Sequence, residues 1–173
     1  VRFAHSDLHH GYYRWGKFSR QFSADGIEAG DGISYGAYDA TDPELLKYWS
    51  DANRAVYERY KDHAGFEGYF LMKPAGEWTV VDQPWDGTVS GYSTVAAAGF
   101  RTYLQKNLNL TLSQLNKRWG SNYKSFNEIE PPKPAFELGT NPDLRMKWLD
   151  FVRFKASIPK DFWIGRLLDD IRS

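Results

Sequence analysis

An amphipathic helix delivered by a short link into a buried apolar run constrains this chain more than any other feature. Thr41-Asp42-Pro43-Glu44 opens the helix by local rules: a capping side chain, proline in the first turn, and acids near the positive end of the dipole. Leu45, Trp49, Ala52, Val56 and Tyr60 recur at helical spacing, while Lys47, Asp51, Arg54, Glu58 and Lys61 fall on the opposite face, which predicts one apolar stripe and one wet one. Lys61 to Gly65 then lead into Phe66 to Met72, a run bounded by Gly65 and Pro74 that reads as a strand buried on both faces. A helix entering a buried strand is half of a βαβ unit, so the order predicts a parallel α/β fold and fits an α/β barrel.

Ligand chemistry in parallel α/β folds sits where strands end. Just past Phe66 to Met72 stand Gly76-Glu77-Trp78, which makes Glu77 the first catalytic candidate and Trp78 a candidate ring for stacking. A solvated loop acid beside a core tryptophan is the bland alternative. Val1-Arg2-Phe3-Ala4 reads as the tail of another strand, and a first residue other than Met suggests a cut chain. His5, Asp7, His9 and His10 follow it. Imidazole and carboxylate both bind zinc, but no HExxH or comparable spacing accompanies them, so His5 and Asp7 are read as hydrogen-bonding a ligand and no metal is expected. Gly11 to Ala40 is rich in glycine and aromatics without a period of strand or helix. It is read as an aromatic loop, with Phe22 among its rings and Trp15 as a stacking candidate, that forms one wall of a cleft, or as a loop that covers the barrel or sheet end. Thr79 to Gly91 reads as irregular, with Asp82, Pro84, Asp86 and Gly87 marking turns and Trp85 on the same edge as Trp78.

Three further helices are predicted. Ser93 caps one through Ala96, Phe100, Tyr103 and Leu104; Thr111 and Gln114 form a capping box for a shorter one ended by Gly120. Pro131, Pro132 and Pro134 set an extended linker, and Asn141-Pro142-Asp143 caps a long last helix, Asn141 to Ile171, carrying Leu144, Trp148, Phe151 and Val152 and later Phe162, Leu167 and Ile171, which Pro159 kinks or breaks. Charge narrows the partners: 22 basic and 22 acidic residues cancel, so no long-range field gathers nucleic acid or an anionic membrane. No apolar run approaches the ~20 residues that span a bilayer. Cysteine is absent, which excludes thiol nucleophiles, disulfides and thiolate metal sites and leaves the compartment open. Aromatics make up 17% of the chain, and their flat apolar faces with polar edges suit sugar rings as well as a tryptophan-rich core.

Phe100-Arg101-x-Tyr103-Leu104, Leu112-x-x-Leu115-Asn116-x-x-Trp119-Gly120, Asn141-Pro142 and Trp148-Leu149-Asp150-Phe151-x-Arg153-Phe154 together resemble the helices after the fourth barrel strand of family 42 glycoside hydrolases, the bacterial β-galactosidase type. The resemblance implies a helix-rich part of a (β/α)8 TIM barrel, a single domain over residues 1–173 that is a fragment of a larger catalytic barrel. It implies a general acid after the fourth strand and a nucleophile after the seventh, the latter outside this chain, with no cofactor. The implied partners are a carbohydrate substrate and the remainder of the barrel, with a homo-oligomer left open.

The decisive stretch departs from the family pattern. Such enzymes place an Asn-Glu pair at the end of the fourth strand, where this chain has Lys73-Pro74, with Glu77 three residues further on. Either Glu77 serves as the acid, held protonated by an apolar setting to which Trp78 contributes, or the protein binds sugars without cleaving them. Lys73 is then a sugar-orienting candidate.

Overall fold

The computed structural model describes residues 3–6, 18–20, 22–26, 39, 41–70, 82–83, 88–89, 91–133, 140–158, 165 and 168–169, with the backbone alone at 3–6, 69–70, 82–83 and 88–89. β1 (Phe3–Ser6) and β2 (Phe66–Phe70) pair in parallel, joined through α1 (Pro43–Tyr60). A parallel pair needs such a crossover, and α1 supplies it. The register runs Phe3↔Phe66, then Ala4↔Gly68, so Glu67 is an extra residue on β2. Gly68 takes φ +126°, a backbone open to glycine, and so absorbs this bulge. The predicted strand is described through Phe70; Leu71 and Met72 lie outside the described residues.

α1 has the predicted bounds. Asp42 accepts from Glu44 N at 2.8 Å, and Pro43 occupies the first helical position, where no backbone donor is needed. Its buried face is rotated from the predicted stripe. Leu45, Leu46, Ser50 and Asn53 are buried, whereas Trp49, Ala52, Val56 and Tyr60 are half-buried. The stripe was drawn from apolar residues alone, and two polar side chains share the packed face. The charged face is exposed as expected. Phe18 covers Leu45 and meets Tyr48 ring to ring at 5.7 Å.

Thr79 to Gly91 is not wholly irregular, because β3 (Asp82–Gln83) and β4 (Thr88–Val89) form a two-residue antiparallel ladder. Turn residues at 84–87 fit a hairpin as well as a coil, and strands this short carry too little alternation to read.

α2 (Thr94–Lys106), α3 (Leu112–Trp119) and α4 (Pro142–Ile158) form the main core. Ser93 caps α2 by accepting from Ala96 N at 3.0 Å; Thr111 and Gln114 complete their capping box. Gly120 ends α3 in the left-handed conformation at φ +56°. Asn141 Oδ1 accepts from Asp143 N at 3.0 Å and Leu144 N at 3.1 Å; α4 is described through Ile158, and Pro159 with its expected kink or break lies outside the described residues. Phe100 sits at the centre: fully buried, it meets Phe151 edge-on at 5.3 Å, Phe154 at 5.5 Å and Trp119 stacked at 6.2 Å. Leu104, Leu115, Ile129 and Ile158 complete the cluster. The proline linker is no free spacer. Pro131 and Pro132 are buried, Tyr92 donates to Pro132 O at 2.7 Å, and Arg101 Nε donates to Ile129 O at 2.8 Å.

One carboxylate holds α3 to α4. Asp150 is fully buried and accepts from Arg118 Nε at 2.7 Å, Arg118 Nη2 at 2.8 Å and the Trp119 indole at 2.9 Å. Asn116 fixes the turn after α3: its oxygen accepts from Tyr123 N and Ser121 Oγ, both at 2.9 Å, and its amide donates to Tyr123 O at 2.9 Å.

Candidate functional site

Ser6 stands opposite Phe70 and His5 opposite Tyr69, so β1 and β2 run side by side in one direction through the last residues described on each. Asp7 and Trp15 belong to the first segment; Lys73, Glu77, Trp78 and Trp85 belong to the second. These six lie outside the described residues, as do His9 and His10, and His5 is placed by its backbone alone, one residue before the end of β1. The two segments that follow these strands in sequence carry the candidate residues other than His5. Among the described residues no group of three or more His, Asp or Glu is placed to hold a metal.

Both segments end in a single polar knot. α1 runs from Pro43 to Tyr60 and a short link carries the chain into the start of β2, so α1 is antiparallel to the strands and begins on the side where they end. Just ahead of it lies Asp39, only 4% exposed. Its Oδ1 accepts from Thr41 N at 2.9 Å and from Thr41 Oγ1 at 2.6 Å, while Oδ2 takes a short hydrogen bond from Ser93 Oγ. Ser93 is the cap of α2. Because its hydroxyl proton goes to Asp39, its lone pairs stay turned to Ala96 N. Asp42, the cap of α1, also accepts from Ser19 N at 2.6 Å, Asp39 N donates to Ser19 O at 2.8 Å, and Tyr92 N donates to Phe22 O at 3.2 Å.

A cleft of about 580 Å³ opens beside the knot. Ser19, Arg20, Phe22, Tyr92, Ser93 and Lys133 contribute to its walls, which mix hydroxyls, cations and ring faces. Ser19, Arg20 and Phe22 belong to the loop Gly11 to Ala40 that the sequence marks as a cleft wall, whereas Tyr92 and Lys133 carry no such mark, and Trp15, Trp78 and Trp85 lie outside the described residues. Asp39 was missed because an isolated acid reads as solvated. Its signal was the Asp39-Ala40-Thr41 spacing, an Asp whose side chain binds the backbone two residues on, directly before a capped helix.

A family model described as Beta-galactosidase, glycoside hydrolase family 42, matches residues 20–167. Two curated relatives are a beta-galactosidase of Arthrobacter sp, 31% identical over 146 residues, and beta-galactosidase bgaB of Geobacillus kaustophilus, 29% identical over 135 residues. These alignments cover 82% and 73% of this chain but 19% and 18% of the relatives, so the chain spans about a fifth of their length. Among solved structures, the GH42 beta-galactosidase Gan42B is similar at TM-score 0.63 and 20% identity, over 99% of this chain and 24% of its own. The catalytic domain of a beta-amylase from Paenibacillus polymyxa is similar at TM-score 0.59 and 17% identity, over 89% of this chain and 38% of its own. The two likenesses show the fold: β1, α1, β2 and the helices after them are a helix-rich part of a (β/α)8 barrel.

Proposed function

Since the chain belongs to the family 42 glycoside hydrolases, we propose that it is one stretch of a larger catalytic barrel that hydrolyses β-galactosides or related glycans with retention, with Glu77 as its general acid. The observation that carries this reading is the parallel pair: β1 and β2 run in one direction with Ser6 opposite Phe70, and Glu77 follows Phe70 in sequence. In a barrel the C-terminal edge of the strands is the catalytic mouth. Glu77 protonates the departing glycosidic oxygen. A nucleophilic carboxylate about 5.5 Å away, contributed by sequence beyond this chain, attacks the anomeric carbon, and Glu77 then deprotonates the water that releases the sugar. Trp15, Trp78 and Trp85 stack on sugar rings, and His5, Asp7 and Lys73 hydrogen-bond hydroxyls. The substrate is a carbohydrate, and the remainder of the barrel completes the site.

One observation favours a second reading. Lys73-Pro74 occupies the place of the family's Asn-Glu pair, and a barrel without that acid would bind carbohydrate without cleaving it. Glu77→Gln in the intact protein decides between the two. A general acid is worth ~10²–10⁴-fold and is needed most when the leaving group is poor. Turnover of methyl β-galactoside should therefore fall far more than turnover of para-nitrophenyl β-galactoside. An equal effect on both, or none, would move the assignment to the sugar-binding reading.

A further inference from the structure

Three stretches far apart in sequence meet around the cleft beside Ser93, and polar bonds fix them in place. Tyr92 N donates to Phe22 O at 3.2 Å, the Tyr92 hydroxyl donates to Pro132 O at 2.7 Å, and Ser19 N donates to the Asp42 carboxylate at 2.6 Å. The Tyr92 ring also packs on Phe151, 5.4 Å away. A cleft of about 580 Å³ with walls tied in this way is ready-made, and its size falls in the range of about 300–1,000 Å³ usual for small-ligand sites. A ligand that enters it does not first have to order these walls.

The lining has a sign. Arg20 and Lys133 stand on the walls with one acid, Glu130, whose carboxylate is taken by Arg101 at 2.5 Å. Ser93 and Thr94 line the cleft where α2 begins, and the positive end of that helix adds to the same sign. Among the described residues no group pairs with the Lys133 ammonium or with the side-chain hydroxyls of Ser19 and Thr94. Phe22 and Tyr92 contribute rings. A ring face suits the C–H face of a pyranose, hydroxyls suit its hydroxyls, and a cation suits a carboxylate. An inorganic anion uses the last of these alone, and a neutral sugar leaves the cations unanswered.

We propose that this cleft binds a sugar that bears a carboxylate, a uronic acid residue, with Lys133 and Arg20 on the carboxylate, Phe22 against the ring, and Ser19 and Thr94 on ring hydroxyls. The inference rests on the reading that the intact protein handles carbohydrate. It does not require Glu77 to be the acid.

The test is calorimetric binding of D-galacturonate, D-galactose and acetate to the intact protein, with turnover of para-nitrophenyl β-galactoside measured beside it. Galacturonate should bind at least about tenfold more tightly than acetate, which has the carboxylate without the ring. Lys133→Met should weaken galacturonate about fivefold to tenfold, the worth of one charge-assisted hydrogen bond partly open to water, and Lys133→Arg should stay within about threefold of the parent. Phe22→Ala, with folding checked by near-ultraviolet circular dichroism, should weaken galacturonate about threefold to tenfold. Lys133 is exposed, so its variants decide the matter even if Phe22→Ala does not fold. Unchanged galacturonate affinity in Lys133→Met, or equal losses in Lys133→Met and Lys133→Arg, overturns the proposal. Acetate that binds as tightly as galacturonate makes the cleft a bare anion site and overturns it too. Galactose that matches galacturonate in the parent and loses as much in Lys133→Met shows that the carboxylate is not read, with the same consequence. A parent protein that binds neither sugar and turns over no galactoside refutes the carbohydrate reading and the inference with it. A parent that turns over the galactoside or binds galactose, but does not bind galacturonate, refutes the inference alone.

Discussion

Replacing Asp150 tests whether one carboxylate joins α3 to α4. Asp150→Ala removes an acceptor with no exposed surface and leaves the Trp119 indole N–H, in a residue 4% exposed, without its partner. An orphaned buried donor costs about 1–3 kcal/mol. The two Arg118 hydrogen bonds are lost as well, but the Arg118 side chain is 31% exposed and recovers part of that loss in water. The total should lie near the about 3–5 kcal/mol typical of breaking a buried pair. Arg118→Ala should cost a comparable amount for the opposite reason, because it strands the charge on Asp150 with the indole at 2.9 Å and Arg153 at 3.5 Å. The double variant then removes both halves of one interaction, so its cost should be smaller than the sum by about 2 kcal/mol. Urea titrations of the intact protein at constant slope measure all three. Additivity within about 0.5 kcal/mol, or an Asp150→Ala cost below about 1 kcal/mol, would refute the reasoning. The pH dependence has a fixed sign. The hydrogen bond from Arg118 to Asp150, against the opposing pull of desolvation, raises the guanidinium above its ordinary value. A raised cation contributes stability that is fully present below its unfolded pKa and lost above the folded one, so Arg118 deprotonation takes nothing from the pair until strongly alkaline pH.

Two further substitutions probe the same helices. Gly120→Ala should destabilise by about 1–2 kcal/mol, because φ is +56° and a new Cβ would press on the Asp143 carboxylate; an unchanged urea midpoint would contradict the left-handed cap. Phe100→Ala should cost about 3–5 kcal/mol by opening a void among Trp119, Phe151 and Phe154, and a loss below about 2 kcal/mol would mean that those rings close over the gap.

The helices were legible because their ends are written locally. Asp42, Ser93, Thr111 with Gln114, Gly120 and Asn141 each act within three or four residues of themselves, and each does what its type predicts. The parallel strand was legible from its flanks. What stayed hidden depends on contacts far along the chain: Ser50 and Asn53 on the packed face of α1, the packed Pro131-Pro132, and the buried acids Asp39 and Asp150, whose partners lie 54 and 32 residues away. Charge reads as surface until a partner is in view. For the candidate site, strand direction gives an edge and no more: the bearing of Glu77 toward a sugar depends on the segment after β2, which neither period nor propensity dictates and which lies largely outside the described residues.

The Asp150 link also bears on how such a chain diverges. Asn116, Trp119, Asp150, Phe151 and Phe154, through which the family is recognised, hold α2, α3 and α4 to one another and fix the turn after α3. Mutation at those positions is penalised by unfolding whatever chemistry the protein performs, so a gene copy can exchange its chemistry, or shed it, while its descendants remain recognisable by their helices.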